Sequence, residues 1–258
     1  MSGRDTSSGE RFALGRVFIS RTNPYDAYSC IGRFRSEGRY GYICFMDART
    51  AYLANHDTEY CRIQNGSLLT CPDGITLLWF AHRSGFEDVE KVSGKDFMDL
   101  IFSVSVQEGY SHFFYGSTSA TIEKIQQNLR QQYPGIVILG AVSPPFQPLE
   151  AFDTDSLAGE LNRLKPTFFW CGLGAPKQER LMALLQPKLE STICAGVGLA
   201  FEYFAGTVKR APQWMRQSGF DWVYRLAQQP RTISRVIRPV FWIFKEMILV
   251  KMIRNYPE

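Results

Sequence analysis

The chain has 258 residues, of which 45% are hydrophobic and 21% are charged, a balance that indicates a globular protein and excludes a disordered one. Its 29 Lys and Arg residues outnumber its 25 Asp and Glu residues, which gives a formal net charge of +4. No stretch reaches the roughly 18 uncharged apolar residues of a membrane span, and the polar N-terminus lacks the apolar segment of a signal peptide.

The predicted elements begin after residues 1–38, a polar segment rich in Gly, Ser and Arg that we interpret as a loose N-terminal arm. From there, short apolar runs alternate with helical patterns. Strands are predicted over residues 42–45, 68–71, 112–115, 136–139, 167–171 and 192–197. Helices are predicted over residues 47–64, 75–83, 95–109, 118–132, 154–164 and 176–187. This alternation predicts an α/β domain over residues 39–207, with a mostly parallel sheet and helices on both faces.

The sequence Pro72-Asp73-Gly74 places a carboxylate between two apolar runs. Taken alone it predicts a turn, because Pro presets φ, Asp bonds its own backbone and Gly accepts a positive φ. The alternative is a charged group set at a strand end for chemistry.

Glycines directly follow three predicted strands, at Gly116, at Gly172 and Gly174, and at Gly196 and Gly198. Glycine lets a phosphate or ribose approach the backbone, although it also makes tight strand-to-helix turns. Three such sites in one sheet favour a nucleotide cleft at the carboxyl ends of the strands. The Gly-x-Gly-x-x-Gly spacing is missing after the first strand, which disfavours a dinucleotide dehydrogenase.

A loop that ends at Pro176 leads into Lys177, Gln178 and Glu179, which we place in the first turn of a helix beside the strand ends. Either they bind a substrate there, or they form a solvated first turn in which the negative charge of Glu179 interacts favourably with the helix dipole. Cysteine and histidine spacing predicts neither a metal site nor a disulfide framework.

Residues 208–258 form a basic appendage, with ten Lys or Arg against three Asp or Glu. After residue 231 most basic residues fall opposite a bulky apolar face on a helical wheel. This pattern is typical of a helix at an anionic membrane interface, or of a helix packed on the protein's own core. Pro239 is expected to kink or split the helix. Nucleic-acid binding is disfavoured, because aromatic and aliphatic residues share one face.

Several blocks resemble one family. They are Asp-Gly at 73–74, Phe-Phe-Tyr-Gly-Ser at 113–117, Gly-Leu-Gly-Ala-Pro-Lys-Gln-Glu at 172–179, Gly-Val-Gly-Leu-Ala-Phe at 196–201, Ala-Gly-Thr-Val-Lys-Arg-Ala-Pro-Gln-Trp at 205–214, and Asp-Trp-Val-Tyr-Arg-Leu-Ala-Gln-Gln-Pro-Arg at 221–231. In this order, over roughly residues 40–240, they resemble the WecG/TagA/CpsF glycosyltransferases (glycosyltransferase family 26).

The resemblance implies a Rossmann-like enzyme that is peripheral to the cytoplasmic face of a bacterial inner membrane. Such an enzyme transfers a sugar from a UDP-sugar to a polyprenyl-diphosphate-linked saccharide, in the synthesis of a wall polymer, exopolysaccharide or capsule. It implies inversion at the anomeric carbon, no metal and no cofactor. The appendage would bind an anionic membrane surface, and a homo-oligomer is left open.

The resemblance also implies roles for single residues. Asp73 matches the proposed general base, and Lys91 falls where relatives carry a basic residue. Lys177, Gln178 and Glu179 match residues on the nucleotide-sugar side of the family's pocket. Arg225, Arg231 and Arg235 match C-terminal arginines that are proposed, in relatives, to close over the active site and contact the diphosphate.

One stretch departs from the family pattern. Relatives place a polar Thr-Pro-Asn-like stretch before the Asp, where this chain has Phe45-Met46-Asp47. Asp47 is able to replace the Asn, whereas Phe45 has no hydroxyl. The donor sugar therefore stays open, with N-acetylmannosamine, glucose and glucuronic acid among the choices. The alternative is a catalytically silent, membrane-associated assembly or regulatory protein that retains the fold.

Overall fold

The computed structural model describes residues 10–212, 214–215, 224 and 233–255, and in the last of these ranges it describes the side chains of 237–249. The strands are β1 (Arg11–Leu14), β2 (Val17–Ser20), β3 (Tyr42–Met46), β4 (Leu69–Pro72), β5 (Ser111–Gly116), β6 (Val137–Val142), β7 (Phe168–Gly172) and β8 (Ile193–Gly196). The helices are α1 (Pro24–Ser36), α2 (Ala48–His56), α3 (Thr58–Asn65), α4 (Ile75–Arg83), α5 (Gly94–Glu108), α6 (Ser119–Gln132), α7 (Thr154–Leu164), α8 (Lys177–Leu185), α9 (Ala200–Ala205) and α10 (Ile233–Asn255).

Six strands form one parallel sheet in the order β4-β3-β8-β7-β5-β6. Parallel strands buried on both faces read as continuous apolar runs, and residues 168–171 of β7 are fully buried. Trp170 packs with α1, α5 and α6 on one face, while Phe169 packs with α7 and α8 on the other. The predicted α/β fold and all six predicted strands are thereby confirmed.

The expectation of a loose arm is wrong for residues 11–36. β1 and β2 form an antiparallel hairpin beside the outer edge of β4, where the Thr70 N–H donates to Ser20 Oγ at 3.0 Å. The Arg11 guanidinium binds the carbonyls of Asn65 and Ser67, which ties the hairpin to the loop before β4. α1 then begins at Pro24, directly after Asn23, whose side chain caps the helix by accepting from the Asp26 N–H.

The single helix predicted over residues 47–64 is two helices, α2 and α3. Asp57 separates them with an extended backbone, and its side chain accepts a hydrogen bond from the Tyr60 N–H at 2.9 Å. A carboxylate that caps a new helix competes with continuation of the old one. The prediction of one helix is therefore wrong at this residue.

The C-terminal helix α10 runs unbroken through Pro239, so of the two expectations, a kink or a split, the split is wrong within residues 233–255. One face packs on α2 and α4, where Ile243 is 0% exposed. The Trp242 ring meets Tyr52 edge-on, with ring centroids 5.9 Å apart. Within the described residues no helix is long and apolar enough to cross a membrane.

Candidate functional site

A cleft of about 250 Å³ opens at the carboxyl ends of β3, β4, β7 and β8. Parallel strands bring their carboxyl ends to one edge, where open α/β sheets bind ligands. The cleft is lined by several of the residues that the sequence singles out: Asp47, Asp73, Lys91, Gly174, Gln178, Gly196 and Gly198.

Asp73 lies at a junction between a strand and a helix. Pro72 is the last residue of β4, and Gly74 is the N-cap of α4. The Asp73 N–H donates to the Met46 carbonyl at 2.7 Å, which continues the pairing of β4 with β3. The Pro-Asp-Gly sequence thus places the carboxylate at a strand end inside the cleft, as the functional alternative requires.

Asp47 follows β3 and caps α2. Its Oδ1 accepts from the Thr50 N–H at 2.8 Å, and the Thr50 hydroxyl accepts from the Asp47 N–H at 2.9 Å. This reciprocal capping box fixes the backbone and the carboxylate at the helix start. A Cβ built on Gly74 would lie 3.5 Å from the Asp47 Cα. The chain segments that carry the two carboxylates are therefore in contact.

The loop before α5 brings Lys91 to the same cleft. The Val92 N–H donates to the Pro72 carbonyl at 2.9 Å, so this loop runs beside the end of β4. Ser93 then caps α5 by accepting from the Asp96 N–H. A cationic side chain is thus carried next to the strand end that presents Asp73.

Gln178 joins the loops that follow β7 and β8. Its Oε1 accepts from the Gly174 N–H at 3.1 Å, and its Nε2 donates to the Gly196 carbonyl at 2.9 Å. The same Nε2 donates to Glu179 Oε1 at 2.8 Å. A Cβ on Gly196 would lie only 2.7 Å from Met182 Cε, so the loop backbone approaches α8 closely. Buried Gln178 therefore holds both glycine loops at the cleft.

Glu179 is fully buried under the first turn of α8, so it is not the solvated residue of the alternative prediction. Burial raises the pKa of its carboxyl to about 7, although the hydrogen bond from Gln178 works in the opposite direction. The negative charge of Asp47 raises it further. Glu179 is thus a carboxyl that titrates near neutral pH, close to the cleft.

Three other predicted residues do not line the cleft in the described part of the chain. Lys177 donates to the Gln147 carbonyl, and its ammonium lies 5.1 Å from the centre of the Phe146 ring. Gly116, at a φ of +132°, packs on Gly172, because a Cβ there would come within 2.6 Å of the Gly172 carbonyl carbon. These glycines allow two strand ends to approach each other.

The tail arginines of the sequence prediction cannot be placed, since Arg225, Arg231 and the side chain of Arg235 lie outside the described residues. The described segment 208–211 and Tyr224 do line the cleft. The appendage therefore contributes a wall to the cleft even without these arginines.

Sequence reasoning missed other residues of the cleft wall: Arg49, Thr50, Ser93, Lys95, Tyr203, Lys209 and Arg210. Phe45 is also in the wall, with its ring centroid 5.5 Å from that of Phe97. Among the described residues, no group of three or more His, Cys, Asp or Glu is arranged to hold a metal ion.

Comparison with known proteins gives one family model that matches residues 12–256, described as the glycosyl transferase WecG/TagA/CpsF family. A Bacillus subtilis (strain 168) protein is 26% identical over 195 residues, which cover 76% of this chain and 74% of that protein. A Staphylococcus aureus (strain MW2) protein is 27% identical over 194 residues, which cover 75% of this chain and 74% of that protein. Both are named N-acetylglucosaminyldiphosphoundecaprenol N-acetyl-beta-D-mannosaminyltransferase.

Proposed function

Since the chain belongs to the WecG/TagA/CpsF family of glycosyltransferases, we propose that it transfers a sugar from a UDP-sugar to a polyprenyl-diphosphate-linked saccharide. The names of the two relatives specify an acceptor of this kind, a diphosphoundecaprenol that carries N-acetylglucosamine. The product is an intermediate of a bacterial cell-surface polysaccharide: a wall polymer, an exopolysaccharide or a capsule.

The observation that carries this proposal is the position of Asp73 at a strand end, in a cleft that also holds Lys91 and Gln178. Asp73 accepts the proton of the acceptor hydroxyl as that oxygen attacks the anomeric carbon. The new C–O bond forms as the bond from the anomeric carbon to UDP breaks, and UDP leaves with the electron pair. Attack opposite the leaving group inverts the anomeric carbon.

Negative charge develops on the leaving UDP and needs cations or N–H donors nearby. Lys91, Arg49 and Lys209 bring cationic groups to the cleft wall. Gly174 and Gly198, which carry no side chain, are only partly buried and leave backbone accessible there, while buried Gly196 is held behind them by Gln178. The arginines proposed to close over the diphosphate are Arg225, Arg231 and Arg235. We assign Gly116, Gly172, Lys177 and Glu179 to the support of the nucleotide side, behind the cleft wall.

The donor sugar is set by the wall that contains Phe45. Its side chain is apolar and almost buried, so it offers no hydrogen bond to the sugar. We expect this wall to accept a donor whose nearby face is apolar. N-acetylmannosamine, glucose and glucuronic acid are the donors to compare.

The appendage docks the enzyme on an anionic membrane from the cytoplasmic side. Ile237, Phe241, Phe244 and Ile248 are spaced by four, three and four residues along α10, and all four are exposed. We call this set the apolar stripe. Arg238 and Lys245, both exposed, lie along one side of it. Apolar residues beside basic ones are the composition of a helix that lies in a membrane interface.

A second helix extends this surface. Trp79 of α4 is 42% exposed, and its ring centroid lies 6.1 Å from that of Phe244. The opposite face of α10 stays on the protein through Ile243. The helix therefore presents the stripe while it remains packed on α2 and α4.

The experiment that tests the function is a transfer assay with purified protein, a panel of UDP-sugars and a polyprenyl-diphosphate-linked saccharide, run with EDTA and without added metal. We expect one donor to be consumed with release of UDP and formation of an inverted linkage. Measurable UDP binding without turnover of any donor would instead favour the catalytically silent assembly protein. Activity that requires a metal would overturn the metal-independent mechanism.

A further inference from the structure

Arg210 is held at the cleft wall by a planar pair of hydrogen bonds. Its Nη1 and Nη2 donate to the two carboxylate oxygens of Asp96 at 2.6 Å and 2.8 Å. Nη2 also lies 3.3 Å from Ser93 Oγ. A fork of this kind fixes the orientation of a guanidinium as well as its position. The charge of Arg210 is therefore a fixed feature of the cleft.

The same loop connects Arg210 to the strand end that carries Asp73. Ser93 and Asp96 form the start of α5, and the preceding Val92 bonds the Pro72 carbonyl. Arg210 thus binds one end of a short loop whose other end pairs with the residue directly before Asp73. Arg210 and Asp73 both line the cleft.

The charges of the two residues interact. Burial by itself lowers the pKa of Arg210, and Asp96 and then the charges of Asp73 and Asp99 raise it above its ordinary value. The interaction between a cation and a carboxylate is mutual. A carboxylate that favours the protonated guanidinium is itself favoured in its ionised form by that guanidinium.

We propose that Arg210 is a positioning residue for Asp73, and that its guanidinium, fixed by Asp96 and Ser93, keeps the Asp73 carboxylate ionised at the cleft. This inference rests on the proposed function, because a general base accepts a proton only in its ionised form. It deepens that function by naming the positive charge that keeps the Asp73 carboxylate ionised as the pH falls.

Other charged or titratable groups surround the pair. They are Asp47 and Arg49 at the start of α2, Lys91 in the loop before α5, Lys95, Asp96 and Asp99 on α5, Tyr203 on α9, Lys209 and Tyr224 in the appendage, and Cys71 behind Asp73 on β4. Burial raises the pKa of the Cys71 thiol well above its ordinary value, so this group stays neutral. Replacing Arg210 also takes the guanidinium away from Asp96, and the negative charge that it no longer offsets acts on Asp73 in the same direction as the loss of the guanidinium.

The test is a titration of the Asp73 carboxyl carbon by NMR, in which Asp73→Asn identifies the signal. In Arg210→Gln we expect the midpoint of Asp73 to rise by about 0.5 to 1 pH unit, since a nearby opposite charge has been removed. Arg210→Lys retains the charge and should show a smaller rise. The acid limb of kcat/KM should move in the same direction, which a merely structural role for Arg210 would not produce.

Arg180→Gln is the matched control. Arg180 is likewise bound to two carboxylates, Asp57 and Glu59, and its side chain is 23% exposed, as is that of Arg210. It joins α8 to α3, away from the cleft wall. We expect the Asp73 midpoint to stay unchanged in this variant.

An unchanged Asp73 midpoint in Arg210→Gln would overturn the inference. If that variant does not fold, as judged by thermal denaturation, the neutral variant Arg210→Met replaces it and the same criterion applies. The titration needs no substrate, so it is independent of the transfer assay. A raised midpoint in a protein that transfers no sugar would support the role of Arg210 and overturn the proposed function. Normal sugar transfer by the wild-type protein, together with an unchanged Asp73 midpoint in Arg210→Gln, would support the proposed function and overturn the role of Arg210.

Discussion

The backbone N–H of Asp73 donates to the carbonyl of Met46 at 2.7 Å, and this bond links the ends of β4 and β3. It places the carboxylate of Asp73 beside the start of α2, where Asp47 is held by its own capping box. The position of the proposed base is thus set by the backbone of the sheet. A change in the Asp73 side chain alone should leave the fold intact.

Asp73→Asn should abolish sugar transfer while UDP binding and thermal stability persist. The amide keeps the shape of the carboxylate but cannot accept the proton, so we expect kcat to fall by about 100-fold to 10,000-fold. Steady-state kinetics and UDP binding by calorimetry measure the two effects. Asp155→Asn, at a residue whose side chain is 86% exposed, is the control and should keep full activity. Undiminished turnover by Asp73→Asn would remove Asp73 from the role of base.

Gln178→Leu should destabilise the protein. The substitution keeps a similar volume, but it leaves the Gly174 N–H, the Gly196 carbonyl and Glu179 without their partner. Unsatisfied buried polar groups cost about 1–3 kcal/mol each and three lose their partner, so we expect the free energy of unfolding to fall by at least about 3 kcal/mol. Urea denaturation measures it. Gln127→Leu, at an exposed position of α6, should change stability little, and an equal loss in both variants would contradict the role of Gln178.

Glu179→Gln should change how stability depends on pH. The pKa of Glu179 is about 7 in the folded protein, above the ordinary value of 4.5. Because the folded state holds the proton more tightly, the wild-type protein loses stability as the pH rises from about 4.5 through about 7. At full ionisation the penalty is roughly 3 kcal/mol.

The glutamine variant carries no such charge and should escape that loss. Urea denaturation of both proteins at about pH 5 and about pH 8 gives the comparison, since the other titrating groups contribute equally to each. We expect Glu179→Gln to gain stability relative to the wild type between the two pH values. A constant difference would show that Glu179 does not titrate in this range.

Phe241→Ser together with Ile248→Ser should reduce binding to vesicles, because these residues carry the most exposed part of the apolar stripe, at 72% and 60%. Sedimentation with phosphatidylglycerol vesicles measures this binding. Arg238→Gln with Lys245→Gln should weaken binding to these vesicles at low salt and have little effect with phosphatidylcholine vesicles.

The control for the stripe is Val106→Ser, which removes an exposed apolar residue from α5. It should bind vesicles as the wild type does. Equal loss of binding in the control and the stripe variant would mean that the stripe has no special part in docking. Transfer to a water-soluble acceptor analogue should persist in all these variants, because the stripe lies outside the cleft.

Much of the sheet is predictable from the sequence. Strands such as β7 are buried on both faces, so their apolar runs stand out against the helices between them. The hairpin β1–β2 is not, because its short strands alternate buried and exposed residues, with Ala13 and Phe18 exposed, and give no continuous buried run. The Asn23-Pro24 sequence was the available signal for α1, since Asn is a frequent N-cap and Pro a frequent first helical residue.

The cleft is predictable in part for a related reason. Strand ends converge, so the residues that follow β3, β4, β7 and β8 meet, and Asp47 and Asp73 do so. Lys177 is different, because successive positions on a helix point about 100° apart and the sequence does not say which one faces the cleft. Arg210 was missed because its partner Asp96 is 114 residues away in the chain.

α4 connects the proposed catalytic site with the surface proposed to bind the membrane. The helix starts directly after Asp73 and carries Trp79, which lies against Phe244 of the apolar stripe. Trp79 is the fifth residue of α4, so the helix rises about 6 Å along its axis from Ile75 to Trp79. If the stripe docks as proposed, α4 would hold the proposed base Asp73 at a fixed distance from the lipid surface. The enzyme would then select acceptors by how far their reactive hydroxyl stands out of the membrane.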